Sequence, residues 1–144
     1  MRFMITAAPD PNKPASEPSA AFDEKLFAAY MKFNEDMARA GVLIASEGLN
    51  PTRAGARVGI AGGKRAVLDG PFTESKELVG GFYLIEVNSR EEAIEWALRC
   101  PFGMGIDDVL TIHPMTELSD IPPELQKIIT DVAPTWSASF SKAQ

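Results

Sequence analysis

Three side chains of this sequence combine the chemistry for proton transfer with placement near the ends of predicted strands: Asp69, Glu47 and His113. Asp69 follows a predicted strand directly, and strand ends commonly carry the working groups of a site. It also precedes Gly70-Pro71, and an aspartate there stabilises a turn by accepting hydrogen bonds from nearby backbone N–H groups. Turn chemistry alone accounts for this motif, so both roles of Asp69 stay open.

Glu47 and His113 also have two interpretations each. Glu47 lies on the strand alternation that contains Leu43 and Ala45, which predicts a carboxylate on an apolar face. Desolvation there would raise its pKa and suit it to acid–base work, whereas a carboxylate leaving the sheet at the strand's end would stay solvated. His113 shares a predicted strand face with Thr111. Its unperturbed pKa lies near neutrality, but a single histidine more often has a hydrogen-bonded structural role.

Composition excludes several classes of partner. The formal net charge is −6, which repels phosphate backbones and argues against direct nucleic-acid or membrane partners. One cysteine and one histidine cannot form an internal disulfide or a structural zinc site, and Gly62-Gly63-Lys64 lacks the spacing of a phosphate-binding loop. We therefore expect no metal and no cofactor. The first apolar run is too short for a signal peptide and no run approaches about 20 apolar residues, so the expected compartment is the cytoplasm.

The elements that must position these residues follow from periodicity. A first strand is predicted from Arg2 to Ala7, and a helix from about Ser19 or Ala20 to Ala40, ended by Gly41. The helix carries an apolar stripe of Phe22, Leu26, Tyr30, Phe33 and Met37. Further strands are predicted at 42–49, at 57–61 and 64–68 as a hairpin turning at Gly62-Gly63, at 82–87 and at 108–115. A capping box at Ser89 and Glu92 begins a second helix over 90–99.

This order, β-α-β-(β-hairpin)-β-α-β, predicts a ferredoxin-like α+β fold with one largely antiparallel sheet and its helices on one face. Two helices cover one face only, and a second copy of the same sheet is the simplest cover for the other. We therefore expect a homodimer. A third helix with apolar residues at Leu125, Ile128, Ile129 and Val132 is predicted in a C-terminal extension, 118–144, that packs on the domain or on the partner subunit.

The segment Asp69-Gly70-Pro71-Phe72, continuing to Glu77, resembles the YCII-related (YciI-like) family that contains a D-G-P-F motif. The other matching stretches are Phe33-Asn34-Glu35 through Gly41-Val42-Leu43, Glu47-Gly48-Leu49, Gly80-Gly81-Phe82-Tyr83-Leu84-Ile85, Glu95-Trp96 and Arg99-Cys100-Pro101. Together they cover most of a domain over 1–117. The resemblance implies a ferredoxin-like fold that pairs into a dimeric α/β barrel. It also implies that the His–Asp pair of the broader YciI group is replaced here by Tyr30 and Cys100.

Two functions are compatible with this resemblance. In the first, a cleft between the first helix, the sheet and the D-G-P-F loop binds a compact, aromatic metabolite. Tyr30, Phe72, Glu74 and Lys76 would be its binding residues, and Asp69, Glu47 or His113 would move a proton. In the second, the protein is a non-catalytic regulatory or interaction module. Some members are encoded beside extracytoplasmic-function sigma factors. This acidic chain would contact such a partner through a protein–protein interface and would not bind DNA itself.

Overall fold

The computed structural model of the protein describes residues 1–10, 12, 24–50, 55–69, 79–101 and 108–140. The strands in these ranges are β1 (Arg2–Pro9), β2 (Leu43–Gly48), β3 (Ala56–Ala61), β4 (Lys64–Asp69), β5 (Gly81–Glu86) and β6 (Asp108–Pro114). The helices are α1 (Glu24–Arg39), α2 (Arg90–Arg99), α3 (Pro123–Val132) and α4 (Pro134–Phe140), with a 3₁₀ turn at Leu118–Asp120.

Four of the strands form one antiparallel sheet in the order β2-β5-β1-β6. With α1 after β1 and α2 after β5, this is the ferredoxin-like topology, so the predicted α+β fold is confirmed. The prediction placed the hairpin strands in this sheet, whereas within the described ranges β3 and β4 pair with each other and not with the other four strands. They form a separate two-stranded hairpin, inserted in the chain between β2 and β5.

The core lies between the four-stranded sheet and the helices α1 and α2. Phe3 and Ile5 of β1 and Ile85 of β5 are buried, and Met37 of α1 has no exposed surface. Side chains alternate along a strand, so the neighbours of these residues point to the opposite side of the sheet. The other core members are Phe33, Val42, Val87, Ala93, Trp96, Ala97 and Cys100. We call the side without helices the open face of the sheet.

Local signals set the ends of the two core helices. Gly41 follows α1 with a φ of 72°, a left-handed conformation that favours glycine and closes the helix as predicted. Ser89 caps α2, since its Oγ accepts a hydrogen bond from the Glu92 N–H at 3.1 Å. The reciprocal half of the predicted capping box is different: the Glu92 carboxylate accepts from the backbone and side chain of Asn88 instead. The predicted start of α1 near 19–20 lies outside the described residues.

Glycines allow one tight turn and one close approach of two strands. Gly62 and Gly63 both have positive φ, 57° and 76°, as the tight turn predicted between β3 and β4 requires. At Gly81, an added Cβ would lie 2.8 Å from the Glu47 carbonyl oxygen. The absence of a side chain therefore lets β5 and β2 come together there.

The C-terminal extension forms helices that keep apolar side chains at the surface. In α3, Leu125, Ile128 and Val132 are 47%, 54% and 78% exposed. The helix α4 was not predicted, because its sequence from Pro134 has no apolar periodicity. Glu117 holds the start of the extension against β1, because its Oε1 accepts from the Arg2 backbone N–H at 3.0 Å.

Candidate functional site

Tyr30, Tyr83 and Cys100 meet between the helices and the sheet. Tyr30 lies on α1, Tyr83 on β5, and Cys100 directly after α2. The side chains of Tyr83 and Cys100 are hydrogen-bonded, and Tyr30 is close enough for its charge to act on the Tyr83 hydroxyl. Tyr30 and Cys100, the positions that the family resemblance singles out, thus both lie beside Tyr83. We call these three residues the tyrosine–cysteine cluster.

Burial governs the protonation of Tyr83. Desolvation raises the pKa of the Tyr83 hydroxyl well above its ordinary value of 10.0, and the neighbouring Cys100 and Tyr30 raise that pKa further. The phenol is therefore neutral at physiological pH. It can orient a polar atom through a hydrogen bond, but it does not serve as a base.

Aromatic rings and one polar pair surround the cluster. The rings of Phe33 and Tyr83 meet edge to face with centroids 5.5 Å apart, and Trp96 lies 6.2 Å from Phe33. The Arg99 guanidinium stacks 3.9 Å above the Trp96 ring. Ser46, which pairs with Tyr83 in the sheet, places its Oγ 3.4 Å from the side chain of Asn34 on α1. Phe33 and Ser46 are thus the neighbours of Tyr83 within this group.

The cluster lies toward the end of the sheet where the D-G-P-F segment rejoins the fold. The backbone N–H of Gly80 donates to the Ala7 carbonyl at 2.7 Å, and the Gly80 carbonyl accepts from the Leu49 N–H at 2.9 Å. Gly80 precedes β5, the strand that carries Tyr83 three residues later. The predicted binding residues Phe72, Glu74 and Lys76 lie outside the described residues. Of the cluster, Tyr83 thus follows Gly80 by three residues along the chain.

A register shift in β2 changes the predicted surroundings of Glu47. Leu43 pairs with Ile85 on the helix side, but the pairing then shifts by one residue before Ala45. Glu47 consequently pairs with Phe82 and lies on the open face, not on the face of Leu43. It is exposed to solvent. The predicted shared face with Leu43 is therefore wrong, because the alternation of side chains is interrupted by the irregularity.

His113 also lies on the open face, at the other side of the sheet. It pairs with Met4, and its Nε2 lies 3.3 Å from the Thr6 hydroxyl. The strands that carry Glu47 and His113 are the two edges of the sheet, with β5 and β1 between them. Three strand spacings separate these edges by roughly 14 Å. Within one chain, the sheet does not bring the two side chains to one edge as the sequence had suggested.

Asp69 is the last residue of β4, opposite Ala56 in the hairpin. The hairpin shares no strand pairing with the four-stranded sheet in the described part of the chain. Asp69 is thus separated in the sheet pairing from both Glu47 and His113. Its role in catalysis or in the turn stays a prediction, as do the roles of the other two.

Sequence reasoning did not single out Tyr83. Its signal was available, because Tyr83 and Ile85 are two residues apart on a predicted strand and therefore share a face. A tyrosine on a buried face needs a hydrogen-bond partner for its hydroxyl, and Cys100 supplies one here. The sequence alone does not show that β5 lies next to the end of α2.

Neither a metal site nor a membrane span is present in the part of the chain that the structure describes. No group of three or more His, Cys, Asp and Glu side chains among those residues could hold a metal ion. No helix there is long and apolar enough to cross a membrane.

The topology and the cluster define a ferredoxin-like α+β protein with a polar group of side chains between its helices and its sheet. The chain belongs to the YCII-related domain family, whose model matches residues 1–116. An uncharacterized protein of Rhizobium meliloti (strain 1021) is 37% identical over 75 residues, which are 52% of this chain and 60% of the relative. The chain therefore spans less than two thirds of that relative.

A solved structure is similar over most of the chain. It is 5-chloro-2-hydroxyhydroquinone dehydrochlorinase from Burkholderia phenoliruptrix AC1100, in complex with 2,5-dihydroxybenzoquinone. It is 19% identical, with a TM-score of 0.42, and the match covers 81% of this chain and 95% of that chain.

Proposed function

We propose that this protein binds a small aromatic metabolite beside the tyrosine–cysteine cluster. The observation that carries the proposal is the meeting of Tyr30, Tyr83 and Cys100 between helix and sheet. An aromatic guest can extend the edge-to-face packing of Phe33 and Tyr83, because rings favour edge and offset contacts. The neutral Tyr83 hydroxyl supplies the kind of placed polar group that orients a ligand.

The D-G-P-F segment supplies the remaining contacts in this proposal. Its chain returns to the fold at Gly80, next to the strand end that carries Tyr83. We assign ligand contacts to Phe72 for its ring, and to Glu74 and Lys76 for their charges. A ring and two opposite charges would suit a phenolic compound with polar substituents.

Binding can be measured by calorimetry with hydroquinone and 4-hydroxybenzoate as the probes. Tyr30→Phe and Tyr83→Phe each remove one hydroxyl and keep the ring, so we expect affinity to fall about 5- to 10-fold, as for one lost hydrogen bond. Thr111→Val is the control, because it also removes one hydroxyl and Thr111 lies on the open face opposite Thr6. Loss of binding in the control with full binding by both tyrosine variants would contradict the proposed site.

Acid–base chemistry would fall to Asp69, Glu47 or His113. Asp69 is favoured among them for a ligand at the cluster, since it is the first residue of the D-G-P-F segment. Asp69→Asn keeps a turn-forming residue, so a catalytic Asp69 predicts lost turnover with an unchanged melting temperature. A structural Asp69 predicts the reverse, a loss of about 1 kcal/mol in stability with function retained.

We also propose that two copies pair through the open faces of their sheets. Partly buried apolar side chains on that face, Met4, Phe82 and Leu84, support this pairing. Sedimentation at micromolar concentration is expected to give about twice the chain mass of 15.6 kDa. A monomer at every concentration would exclude the face-to-face arrangement.

The second candidate function is a non-catalytic module associated with an extracytoplasmic-function sigma factor. Exposed apolar side chains such as Ile60 and Ile128 favour it, because surfaces of that kind commonly mark protein contacts. Copurification of the tagged protein with an extracytoplasmic-function sigma factor would support this function. A catabolic gene neighbourhood together with phenol binding would support the first function instead.

A further inference from the structure

Asn34 and Ser46 form a polar pair beside the tyrosine–cysteine cluster. Asn34 lies on α1, one turn after Tyr30 and therefore on the same side of the helix. Its neighbour Phe33 packs edge to face on the Tyr83 ring. Ser46 pairs with Tyr83 across β2 and β5, so their two side chains project to the same side of the sheet, toward the helices. The pair thus borders the space that we assign to the ligand.

The Ser46 hydroxyl sets the orientation of the Asn34 amide. The Ser46 Oγ donates to the Asn34 Oδ1 at 3.4 Å, so the amide oxygen faces β2. The amide nitrogen carries two N–H donors, and neither has a hydrogen-bond partner within the described ranges. No buried side-chain nitrogen or oxygen in those ranges lacks a partner, so this half-buried residue keeps its NH₂ group accessible. The two donors are therefore open to a bound molecule.

An amide held in this way recognises a hydrogen-bond acceptor. A carbonyl oxygen on the ligand fits the open N–H groups, whereas an alkyl group would cover them and leave them unpaired. Neither Asn34 nor Ser46 is charged, so the pair does not offset the larger cost of removing a carboxylate from water. The chemistry of the pair thus favours an uncharged acceptor.

We propose that Asn34 and Ser46 determine ligand specificity by selecting phenolic compounds that carry a carbonyl oxygen. Asn34 donates to that oxygen, while the ring of the compound packs beside Phe33 and Tyr83. Ser46 is a positioning residue, because it acts on the ligand only through the orientation of the amide. The proposal rests on the binding site proposed above and adds the class of compound that the site accepts.

The test compares two ligands of similar shape, 4-hydroxyacetophenone and 4-ethylphenol. Both are phenols with a two-carbon substituent, and only the first has a carbonyl oxygen. We expect the full chain to bind the ketone about 5- to 10-fold more tightly, which is the effect of one uncharged hydrogen bond. Calorimetry at about pH 6, where both phenols are protonated, measures the two dissociation constants. We call their quotient, ethylphenol over ketone, the selectivity ratio.

Two substitutions of Asn34 remove its donors in different ways. Asn34→Asp keeps the oxygen that accepts from Ser46 and replaces the NH₂ group with a second oxygen. Asn34→Leu removes the donors without adding a charge. We expect the selectivity ratio to fall to about 1 in both variants, because the carbonyl no longer has a donor. The affinity of Asn34→Leu for 4-ethylphenol should change by less than about threefold.

Substitutions of Ser46 test its positioning role. Ser46→Ala leaves the amide free to turn and should lower the selectivity ratio about two- to threefold, whereas Ser46→Thr keeps the hydroxyl and should keep the ratio. Thr111→Val is the matched control, because it removes a hydroxyl from the open face. A loss of stability alone would not change the ratio, since both ligands bind the same folded site.

The outcomes separate the specificity from the site itself. A wild-type chain that binds neither compound, nor hydroquinone, would overturn the proposed binding site and the specificity with it. Binding of both compounds with a wild-type ratio of about 1 would overturn the specificity alone. So would a ratio that stays at the wild-type value in both Asn34 variants. A ratio that falls in these variants and in Ser46→Ala, but not in Thr111→Val, would support the proposal.

Discussion

Ile85 and Ile60 show how differently one residue type is used in two regions of this molecule. Both are isoleucines in antiparallel strands, yet Ile85 has no exposed surface and Ile60 is 72% exposed. Ile85 is covered by helices of its own chain, whereas the hairpin that carries Ile60 has its apolar face in solvent. The alternation of apolar residues along a strand indicates that one of its faces is covered by another surface. It does not say whether the cover comes from the same chain or from another one.

Truncation of the buried isoleucine should destabilise this protein more than any other change considered below. Ile85→Ala should lower the free energy of unfolding by about 2–5 kcal/mol, because it removes buried methyl groups and leaves a cavity. Ile60→Ala should change it by less than about 0.5 kcal/mol when the protein is diluted below its dimer dissociation constant. Urea unfolding at matched concentrations measures both. Equal losses for the two variants would show that the hairpin is folded into the core of its own subunit.

An intermediate effect is expected from the C-terminal extension, which resembles the hairpin in exposing apolar residues. Deleting Pro122 to Gln144 should lower the melting temperature or weaken the dimer, because the stripe of Leu125, Ile128 and Val132 has the pattern of a helix that packs on another surface. A loss of 1 kcal/mol would correspond to roughly 4 °C in a domain of this size. Calorimetry and sedimentation of the truncated chain test both outcomes. If neither quantity changes, the extension contributes nothing to the assembly.

A smaller effect is expected in the buried core, where the ionisation of Tyr83 should make stability depend on pH. Burial raises the pKa of Tyr83, so the folded state keeps the phenol proton to a higher pH than the unfolded chain does. Stability from this group is thus complete below pH 10, the ordinary tyrosine pKa, and is lost as the pH rises above it. Wild-type melting temperature should fall more steeply than that of Tyr83→Phe between pH 9 and pH 11. Parallel curves for the two proteins would contradict a buried, protonated Tyr83.

Much of the fold could be predicted because local signals agree with one another. The strands 2–7 and 82–87, the helix after Ser89 and the glycine turn at 62–63 all have counterparts in the structure. The prediction that the hairpin strands belong to the main sheet was wrong. Periodicity identifies two paired strands, but the partner of their outer edges depends on tertiary contacts that no local pattern contains.

The candidate site was less predictable, for two physical reasons. The face of Glu47 depended on an unbroken alternation, and one irregular residue between Leu43 and Ala45 reversed it. The partnership of Tyr83 and Cys100 depended on where α2 ends relative to β5, a separation of 17 positions along the chain. The family resemblance identified Tyr30 and Cys100. That both lie beside Tyr83 could be seen only in the folded structure.

The irregularity in β2 also shows how small a change could give this domain a different chemistry. If the register of Leu43 and Ile85 continued without a shift, Glu47 would come opposite Gly81 on the helix side, and Ser46 would come opposite Phe82 on the open face. A carboxylate would then stand near the tyrosine–cysteine cluster instead of at the proposed contact between subunits. A shift of β2 by one residue along β5 would thus transfer an acid between the interior of a subunit and its proposed assembly surface. No side chain would have to be replaced for that transfer, because the register alone decides which face of the sheet carries Glu47.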